Sequence, residues 1–324
     1  MKTFLILLTE DMMDSSLTIT LDILRTANLL LEQQKSTEKL RILLAGFHRK
    51  VSTGAGLQVR CDVTFKQMLA SGMPIDWILL PGSGKKNLRE IEDNLASSEL
   101  QSLMDVLRYY ANLNTGIGAS CASTFTLAEA GLLTGKSATT SWWLASAFRH
   151  RYPRVTLDET NMLVRDNNIL TAGAAFSQMD VVLELVAETA GAAIAYLCSR
   201  YLLIEQRSSQ ARFMIPTQNQ HLNPIVIAAE KWIDANLSRP LTVQEMAAQF
   251  ALSTKTLSRK IIEATGDSPI RFIQRRKLMR AVYLLESTSL PIERVAERVG
   301  YQNSTMLRHL MKRELGVLPG QVRK

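Results

Sequence analysis

Residues 253–259 read Ser-Thr-Lys-Thr-Leu-Ser-Arg, and the stretch has the features of a helix start. Ser253 is a favourable N-cap, because its hydroxyl can accept a hydrogen bond from an unpaired N–H of the first turn. Apolar side chains follow at helical spacing at Leu257, Ile261 and Ala264. Polar and basic side chains fill the other face: Thr254, Lys255, Thr256, Arg259 and Lys260. The pattern predicts a helix with one buried face and one basic face.

A shorter helix is predicted just upstream, over Val243 to Phe250. It begins with a capping box, in which Thr242 and Glu245 satisfy each other's backbone N–H groups. Two helices joined by a tight turn make a helix-turn-helix (HTH) motif, whose second helix enters the major groove of DNA. On this segment alone, an amphipathic helix in an ordinary bundle explains the pattern equally well.

Residues 290–319 repeat the pattern of residues 241–269. With one residue inserted at the turn, Leu257 matches Leu307 and Gly266 matches Gly316. Stable repeat arrays need three or more units, so two copies favour two HTH motifs, at about residues 242–264 and 291–314. The exposed positions of the second recognition helix are Ser304, Thr305, Arg308 and His309.

A longer helix is predicted between the two motifs. Ser268 is its N-cap and Pro269 its first residue, and it extends to about Ser287. Its apolar positions are Ile273, Leu278, Ala281, Leu284 and Leu285. Such a helix would hold the motifs at a fixed separation, so that both meet one face of DNA about one helical turn apart.

The charge distribution supports a nucleic-acid partner. Residues 224–324 contain 17 Lys and Arg against 9 Asp and Glu, whereas residues 1–223 contain 21 of each class. The chain's net charge of +8 therefore belongs entirely to its last third. This asymmetry is typical of a double-stranded DNA binder. A membrane surface is a weaker explanation, because the basic residues are spread over several capped helices.

This third of the chain resembles the DNA-binding domain of the AraC/XylS transcription regulators. The matching residues are Leu257-Ser258-Arg259, Gly266, Pro269, Ala281, Leu284-Leu285, Ile292 to Ala296, Val299-Gly300-Tyr301, Gly316 and Pro319. Some residues depart from the family pattern. His309 and Lys277 stand where the family usually has Arg, while Leu307, Met311 and Ile261 replace aromatic core residues. We therefore expect the second motif to bind DNA less strongly than the first.

Residues 1–200 alternate strands and helices, which predicts a parallel α/β sheet. The predicted strands are Thr3–Thr9, Leu40–Ala45, Trp77–Leu80, Thr115–Ala119 and Ile169–Thr171. Ligands of such sheets bind beyond the carboxyl ends of the strands. Three segments follow strands there: Glu10-Asp11, Gly82-Ser83-Gly84 and Ala119-Ser120-Cys121.

Cys121 lies at a strand-to-helix junction among small residues. This setting resembles a nucleophile elbow, where a helix N-terminus lowers a thiol's pKa. The alternative is a small buried residue without chemistry, as free cysteines often are. A catalytic thiol also needs a base, usually His. The chain has only four histidines, of which His221 and His309 lie outside this domain.

About the first 210 residues resemble the type 1 glutamine amidotransferase-like, PfpI-like fold in the form fused to AraC domains, the GlxA-like regulators. The residues that match the pattern of this fold are Cys121, Leu127 to Leu133, Gly135, Ala138-Thr139-Thr140, Trp142, Thr171-Ala172-Gly173, Asp180, and Arg207 to Phe213. The resemblance implies a flavodoxin-like parallel sheet with helices on both faces, followed by an all-α domain with two HTH motifs. Enzymes of this fold place a His after Thr139-Thr140, where this chain has Ser141. We therefore expect a former active site that binds a small effector.

The predicted effector-binding residues are Glu10, Asp11, Gly82, Ser83, Cys121, Ala122, Ser141 and Trp142. Trp142 and Trp143 offer a cation–π face, although a structural role for them is an equal alternative. The resemblance implies an amine or amino-acid metabolite as effector. No cofactor and no metal site are expected, because no CxxC or HxxxH spacing occurs.

The predicted organisation is an effector-binding and dimerisation domain at residues 1–205, a polar linker at 206–223 and a DNA-binding domain at 224–324. The short apolar run Phe4–Leu8 is followed at once by acidic residues, and three widely spaced cysteines suggest reduced thiols. We therefore expect a cytoplasmic homodimer that acts on promoter DNA with RNA polymerase. The competing hypothesis is a Cys121-dependent amidase or glyoxalase-type enzyme.

Overall fold

The computed structural model describes residues 1–10, 12–85, 87–205, 207, 209–214 and 223–323. These residues form two compact units. The first unit contains residues 1–141 and 154–208, and the second contains residues 142–153 and 209–324. Asp11 and most of the predicted linker at 206–223 lie outside the described residues.

A seven-stranded sheet is the centre of the first unit, and two short two-stranded sheets accompany it. The strands are β1 (Lys2–Leu8), β2 (Leu40–Gly46), β3 (Lys50–Ser52), β4 (Gln58–Arg60), β5 (Val63–Thr64), β6 (Trp77–Leu80), β7 (Gly116–Ser120), β8 (Ser137–Ala138), β9 (Thr156–Leu157), β10 (Leu163–Asp166) and β11 (Ile169–Ala172). The large sheet has the order β10-β11-β7-β6-β1-β2-β5. All its neighbouring pairs are parallel except β10 and β11.

The helices of the chain are α1 (Asp14–Gln33), α2 (Phe65–Ser71), α3 (Leu88–Leu95), α4 (Ser98–Asn112), α5 (Ser123–Glu129), α6 (Ala145–Arg151), α7 (Gln178–Ala190), α8 (Ala192–Tyr201), α9 (Pro224–Ala235), α10 (Val243–Gln249), α11 (Thr254–Thr265), α12 (Pro269–Ser287), α13 (Ile292–Arg298), α14 (Ser304–Leu315) and α15 (Pro319–Val322). Short 3-10 turns cover Trp142–Leu144, Ala175–Ser177 and Ala211–Phe213.

Helices cover both faces of the large sheet. In the first unit α1, α7 and α8 pack together as one group, and α2 to α5 as another. Residues 4–8 of β1 are buried on both faces of the strand, as central strands of parallel sheets are. The predicted α/β architecture is therefore confirmed, with one antiparallel edge strand added.

The second unit is helical and contains two hydrophobic cores. The first core joins α9, α10 and α11 to the beginning of α12, including Phe272 and Ile273. The second joins α13 and α14 to the rest of α12, from Leu278 to Leu285. The predicted core positions of α12 are all buried, so this single helix serves both HTH motifs.

Local hydrogen bonds at the helix ends agree with the sequence. Thr242 and Glu245 form a capping box, and Ser253 and Ser268 cap α11 and α12. Gly266 ends α11 in the left-handed conformation, with a φ of 73°. The structure also adds elements without a periodic signal, such as β3 and β4, and α1 begins at Asp14. No helix among the described residues is both long and apolar enough to span a membrane.

Candidate nucleic-acid interface and effector pocket

The first HTH motif consists of α10 and α11. The Ser253 hydroxyl accepts a hydrogen bond from the Thr256 N–H at 3.1 Å, which holds the first turn of α11. Leu257 and Ile261 are fully buried and anchor the helix in the first core. The opposite face, with Thr254, Lys255 and Arg259, is exposed, while Thr256 is half-buried.

The Arg259 side chain extends into solvent. It is 70% exposed, and its Nε lies 3.9 Å from the Glu263 carboxylate one turn further along the helix. A pair this exposed contributes little to stability, so Arg259 remains available to a DNA base or phosphate.

The second HTH motif consists of α13 and α14, and Asn303 caps α14 by accepting from the Met306 N–H at 3.0 Å. Ser304 and Arg308 both contact the same carboxylate. The Ser304 hydroxyl donates to Glu293 Oε1 at 3.3 Å, and Arg308 Nη2 lies 3.5 Å from that oxygen. An acidic residue of α13 thus contacts two of the residues predicted to bind DNA. The role of Glu293 is not visible in the sequence, because eleven residues separate it from Ser304.

Thr305 and His309 are exposed on α14. Leu307 and Met311, which replace aromatic residues of the family pattern, are fully buried, as is Ile261 in the first motif. These substitutions therefore act on the packing behind each recognition helix and leave the exposed face unchanged. His309, by contrast, lies on the exposed face of its recognition helix, at a position predicted to contact DNA.

The second candidate site surrounds Cys121, where the carboxyl end of β7 meets α5. The Cys121 backbone is left-handed, with a φ of 58°. Its N–H donates to the carbonyl oxygens of Ala172 at 3.1 Å and Gly173 at 2.6 Å. A non-glycine residue rarely adopts this conformation, and such strain is typical of functional turns.

The Cys121 thiol is buried among hydroxyl and carbonyl groups. The Ser141 hydroxyl donates to the sulfur at 3.0 Å, and the sulfur lies 3.9 Å from the Ser83 carbonyl oxygen. Burial raises the pKa of the Cys121 thiol, although the hydrogen bond from Ser141 and two backbone N–H groups oppose that shift. The thiol is therefore held protonated at neutral pH, which is the unreactive form.

Gly82 brings the ends of β6 and β7 together. A Cβ atom on Gly82 would lie 3.1 Å from the Cβ of Cys121, 3.1 Å from the Ser16 hydroxyl oxygen and 3.4 Å from the Cα of Ala175. The Ser16 hydroxyl in turn donates to the Ala175 carbonyl at 3.0 Å. Ser16 and Ala175 therefore line the site, and no spacing or motif in the sequence pointed to them.

The other predicted effector residues are more scattered. Ala122 is buried beside Cys121, whereas Glu10 is exposed and its N–H donates to the Glu99 carboxylate at 3.2 Å. Trp142 packs with Met214 and Met279 within the second unit. Asp11 lies outside the described residues. The structure thus brings together Gly82, Ser83, Cys121, Ala122 and Ser141.

A histidine bonded to the thiol is not found in the described part of the chain. His48, His150 and His309 are exposed there, and no hydrogen bond joins them to Cys121. The described residues also contain no group of three or more His, Cys, Asp or Glu side chains suited to a metal ion. Cys61, Cys121 and Cys198 are all buried free thiols.

Two family models match the chain. The DJ-1/PfpI family model matches residues 2–188, and a helix-turn-helix domain model matches residues 246–324.

Two similar proteins are transcriptional regulators of Pseudomonas aeruginosa. The HTH-type transcriptional regulator GbdR (strain UCBPP-PA14) is 28% identical over 225 residues, which cover 67% of this chain and 60% of GbdR. The HTH-type transcriptional regulator ArgR is 27% identical over 237 residues, covering 72% of this chain and 71% of ArgR. The alignment with GbdR thus leaves about two fifths of that protein unmatched.

Solved structures share the fold of the α/β part. DJ-1beta of Drosophila melanogaster superimposes with a TM-score of 0.51 at 21% identity, over 63% of this chain and 99% of that one. An AraC family transcriptional regulator from Pseudomonas putida gives 0.51 at 18% identity, over 62% of this chain and 100% of that one. The chain therefore belongs to the DJ-1/PfpI family and carries a C-terminal HTH domain of the AraC type.

Proposed function

We propose that this chain is a cytoplasmic, sequence-specific transcription regulator whose α/β domain binds a small metabolite. The observation that carries the proposal is the pair of HTH motifs, each with a capped recognition helix that buries its apolar face and exposes polar and basic residues. The exposed positions are Thr254, Lys255, Arg259, Thr305, Arg308 and His309. They lie in the third of the chain that carries the whole net charge of +8.

The site around Cys121 supports a sensing role better than a catalytic one. Its thiol is protonated, its hydroxyl neighbour Ser141 donates to the sulfur, and its burial keeps it from bulk water. A serine hydroxyl does not remove a proton from a thiol at neutral pH, because a neutral hydroxyl oxygen is a very weak base. The left-handed backbone of Cys121 is then the strained turn of a former nucleophile elbow, kept without its catalytic base.

The polar atoms around the thiol favour an effector that donates hydrogen bonds. The Ser83 carbonyl oxygen lies 3.9 Å from the thiol sulfur, and a carbonyl oxygen accepts two hydrogen bonds. Carbonyl oxygens suit an ammonium or amide group, in agreement with the resemblance to regulators of amine and amino-acid metabolism. Effector binding would change promoter occupancy by a homodimer, and RNA polymerase would respond to that change.

The test uses the full chain in two measurements. A random double-stranded DNA library is selected on the immobilised protein, and we expect an enriched sequence with two separated blocks. A thermal-shift panel of amines, amino acids, sugars and carboxylic acids is run alongside, and we expect amines or amino acids to raise the Tm. Failure to enrich any DNA sequence contradicts the regulator proposal, and a shift confined to sugars contradicts the effector class.

A Cys121-dependent amidase or glyoxalase-type activity is the second candidate. The observation in its favour is the left-handed φ of 58° at Cys121, which a purely structural cysteine does not need. Turnover of amides or 2-oxoaldehydes by the purified chain distinguishes the two functions.

A further inference from the structure

Lys277 is a buried charge without an acidic partner. It lies on α12 and is 5% exposed, and no carboxylate pairs with it among the described residues. Its neighbour Arg276 is also buried but pairs with Glu230 and Asp234 of α9. Since burying an unpaired charge is costly, the position of Lys277 calls for an explanation.

The ammonium group of Lys277 contacts the backbone of two separate segments. Its Nζ donates to the Arg239 carbonyl at 3.1 Å and to the Gly300 carbonyl at 3.3 Å. Arg239 precedes α10 of the first HTH motif, whereas Gly300 lies in the turn between α13 and α14 of the second. Nζ also lies 5.4 Å from the centre of the Tyr301 ring, which supplies a cation–π contact. One side chain thus joins the two motifs.

Gly300 makes this approach possible. Its φ is +71°, and a Cβ atom there would lie 2.4 Å from the Leu237 carbonyl oxygen and 2.6 Å from Lys277 Nζ. The turn of the second motif therefore packs directly on the backbone that precedes the first, with no room for a side chain. This contact is separate from both hydrophobic cores, each of which serves only one motif.

Lys277 also lies at the point on α12 where one core gives way to the other. Ile273 packs in the first core, and Leu278 packs in the second. Without a contact at this point, α12 alone would set the angle between the motifs, and small bends of a helix would change it. A polar contact between the two backbones fixes the angle directly.

We propose that Lys277 is a positioning residue that locks the two HTH motifs into one rigid DNA-binding unit with a fixed half-site spacing. Only the fixed half-site spacing rests on the proposed DNA binding. The rigidity itself is a property of the free protein. Lys277→Met keeps the length of the side chain but removes the donors, so we expect the two motifs to move independently.

The first measurement needs no DNA. Ile262 and Met306 are 49% and 54% exposed on the two recognition helices, and Ile262→Cys with Met306→Cys provides spin-label sites in the full chain. The native cysteines are buried and are replaced by Ala in a parallel sample to exclude their labelling. Double electron–electron resonance should give a narrow distance distribution for the parent and a distribution at least about twice as wide for Lys277→Met.

Three further variants make the comparison specific. Gly300→Ala should widen the distribution as Lys277→Met does, because its Cβ pushes the two backbones apart. Lys312→Met is the matched control, since Lys312 Nζ donates to the Gly316 carbonyl at 3.2 Å within the second motif alone. Gly316→Ala controls for backbone strain, because Gly316 has the same φ of +71°. Both controls should keep the narrow distribution.

The second measurement uses the DNA sequence selected by the parent protein. Inserting two base pairs between its blocks rotates one block by about 70° relative to the other, since B-DNA has 10–10.5 base pairs per turn. We expect the insertion to weaken parent binding about tenfold or more and Lys277→Met binding less than about threefold, starting from a weaker affinity. The proposal is overturned if Lys277→Met and Gly300→Ala both keep the narrow distance distribution and both lose as much affinity as the parent when the two base pairs are inserted. If no DNA is selected, the regulator proposal fails, while the resonance measurement still decides the role of Lys277.

Discussion

The hydroxyl of Ser141 donates a hydrogen bond to the sulfur of Cys121 across 3.0 Å, in the position where enzymes with this fold place a histidine. A histidine there would accept the thiol proton, whereas the serine hydroxyl leaves it on the sulfur. Burial raises the pKa of the Cys121 thiol by more than the hydrogen bond from Ser141 lowers it, so the pKa stays above its ordinary value. The thiol therefore keeps its proton, and the site lacks the activated nucleophile that covalent catalysis requires.

Cys121→Ser should leave effector-dependent transcription largely intact. The substitution keeps a small side chain that accepts from Ser141, and a sensing site needs no nucleophile. The measurement is a promoter fusion in cells, with and without the metabolite identified by thermal shift. Purified parent protein should also show no turnover of amides or 2-oxoaldehydes; turnover that disappears in Cys121→Ser would assign the site to catalysis.

Arg259→Ala should weaken binding to the selected DNA by about 1–3 kcal/mol if its guanidinium contacts a guanine edge. Arg259 is exposed on α11. Its ion pair with Glu263 is long and solvated, so it should not prevent the guanidinium from reaching DNA. Fluorescence anisotropy on selected and random duplexes provides the measurement. Equal losses on both would make Arg259 a phosphate contact, and Glu263→Gln, as control, should leave the affinity unchanged or slightly higher.

Glu293→Gln should strengthen DNA binding. The Glu293 carboxylate contacts both Ser304 and Arg308 on the second recognition helix, and it adds a negative charge beside the expected phosphates. The glutamine keeps the size of the side chain while releasing Arg308 from the ion pair. DNA-binding titrations at several salt concentrations should give a higher affinity and a steeper salt dependence for Glu293→Gln than for the parent. The control is Glu297→Gln, which removes the exposed ion pair with Arg294.

His309→Arg should also increase affinity, by adding a permanent positive charge at an exposed position of α14. One additional phosphate contact should steepen the plot of log affinity against log salt by about one unit. An unchanged slope would show that residue 309 points away from the DNA backbone.

Asp180 gives a pH-dependent prediction. Burial raises its pKa to about 6, although Arg207 Nη2 lies 2.6 Å from its carboxylate and opposes the shift. In the unfolded chain an Asp titrates near about 3.9, so the folded state binds the proton more tightly. The corresponding stabilisation is complete below about pH 4 and is lost as the pH rises through about 6.

The free energy of unfolding of the parent, relative to Asp180→Asn, should therefore fall by about 1–3 kcal/mol between pH 4 and pH 7. Urea unfolding at closely spaced pH values measures this difference. Parallel pH curves for the two proteins would contradict the raised pKa. Asp76→Asn is a useful comparison, because hydrogen bonds from the Thr3 N–H and Lys2 hold the pKa of Asp76 low in spite of its burial. Its relative curve should rise with pH instead of falling.

The sequence by itself determined the elements whose hydrogen bonds are local. A cap or a capping box joins residues two or three apart, so Ser253, Ser268 and the Thr242–Glu245 pair could be recognised directly. The buried stripe of α12 and the strand Trp77–Leu80 were likewise predictable, because their periodicity depends only on backbone geometry. The doubling of the HTH pattern and the location of the positive charge came from the same printed residues.

Only the tertiary structure decided which distant residues meet. Ser16 and Ala175 join the Cys121 site because parallel strands bring their carboxyl ends to one edge of the sheet, whatever their separation along the chain. Glu293 meets Arg308, and Lys277 meets both Arg239 and Gly300, through helix packing that leaves no regular spacing in the sequence. The physical reason is that a local sequence pattern reflects only interactions between residues close along the chain. These contacts depend instead on how whole helices and strands pack against one another.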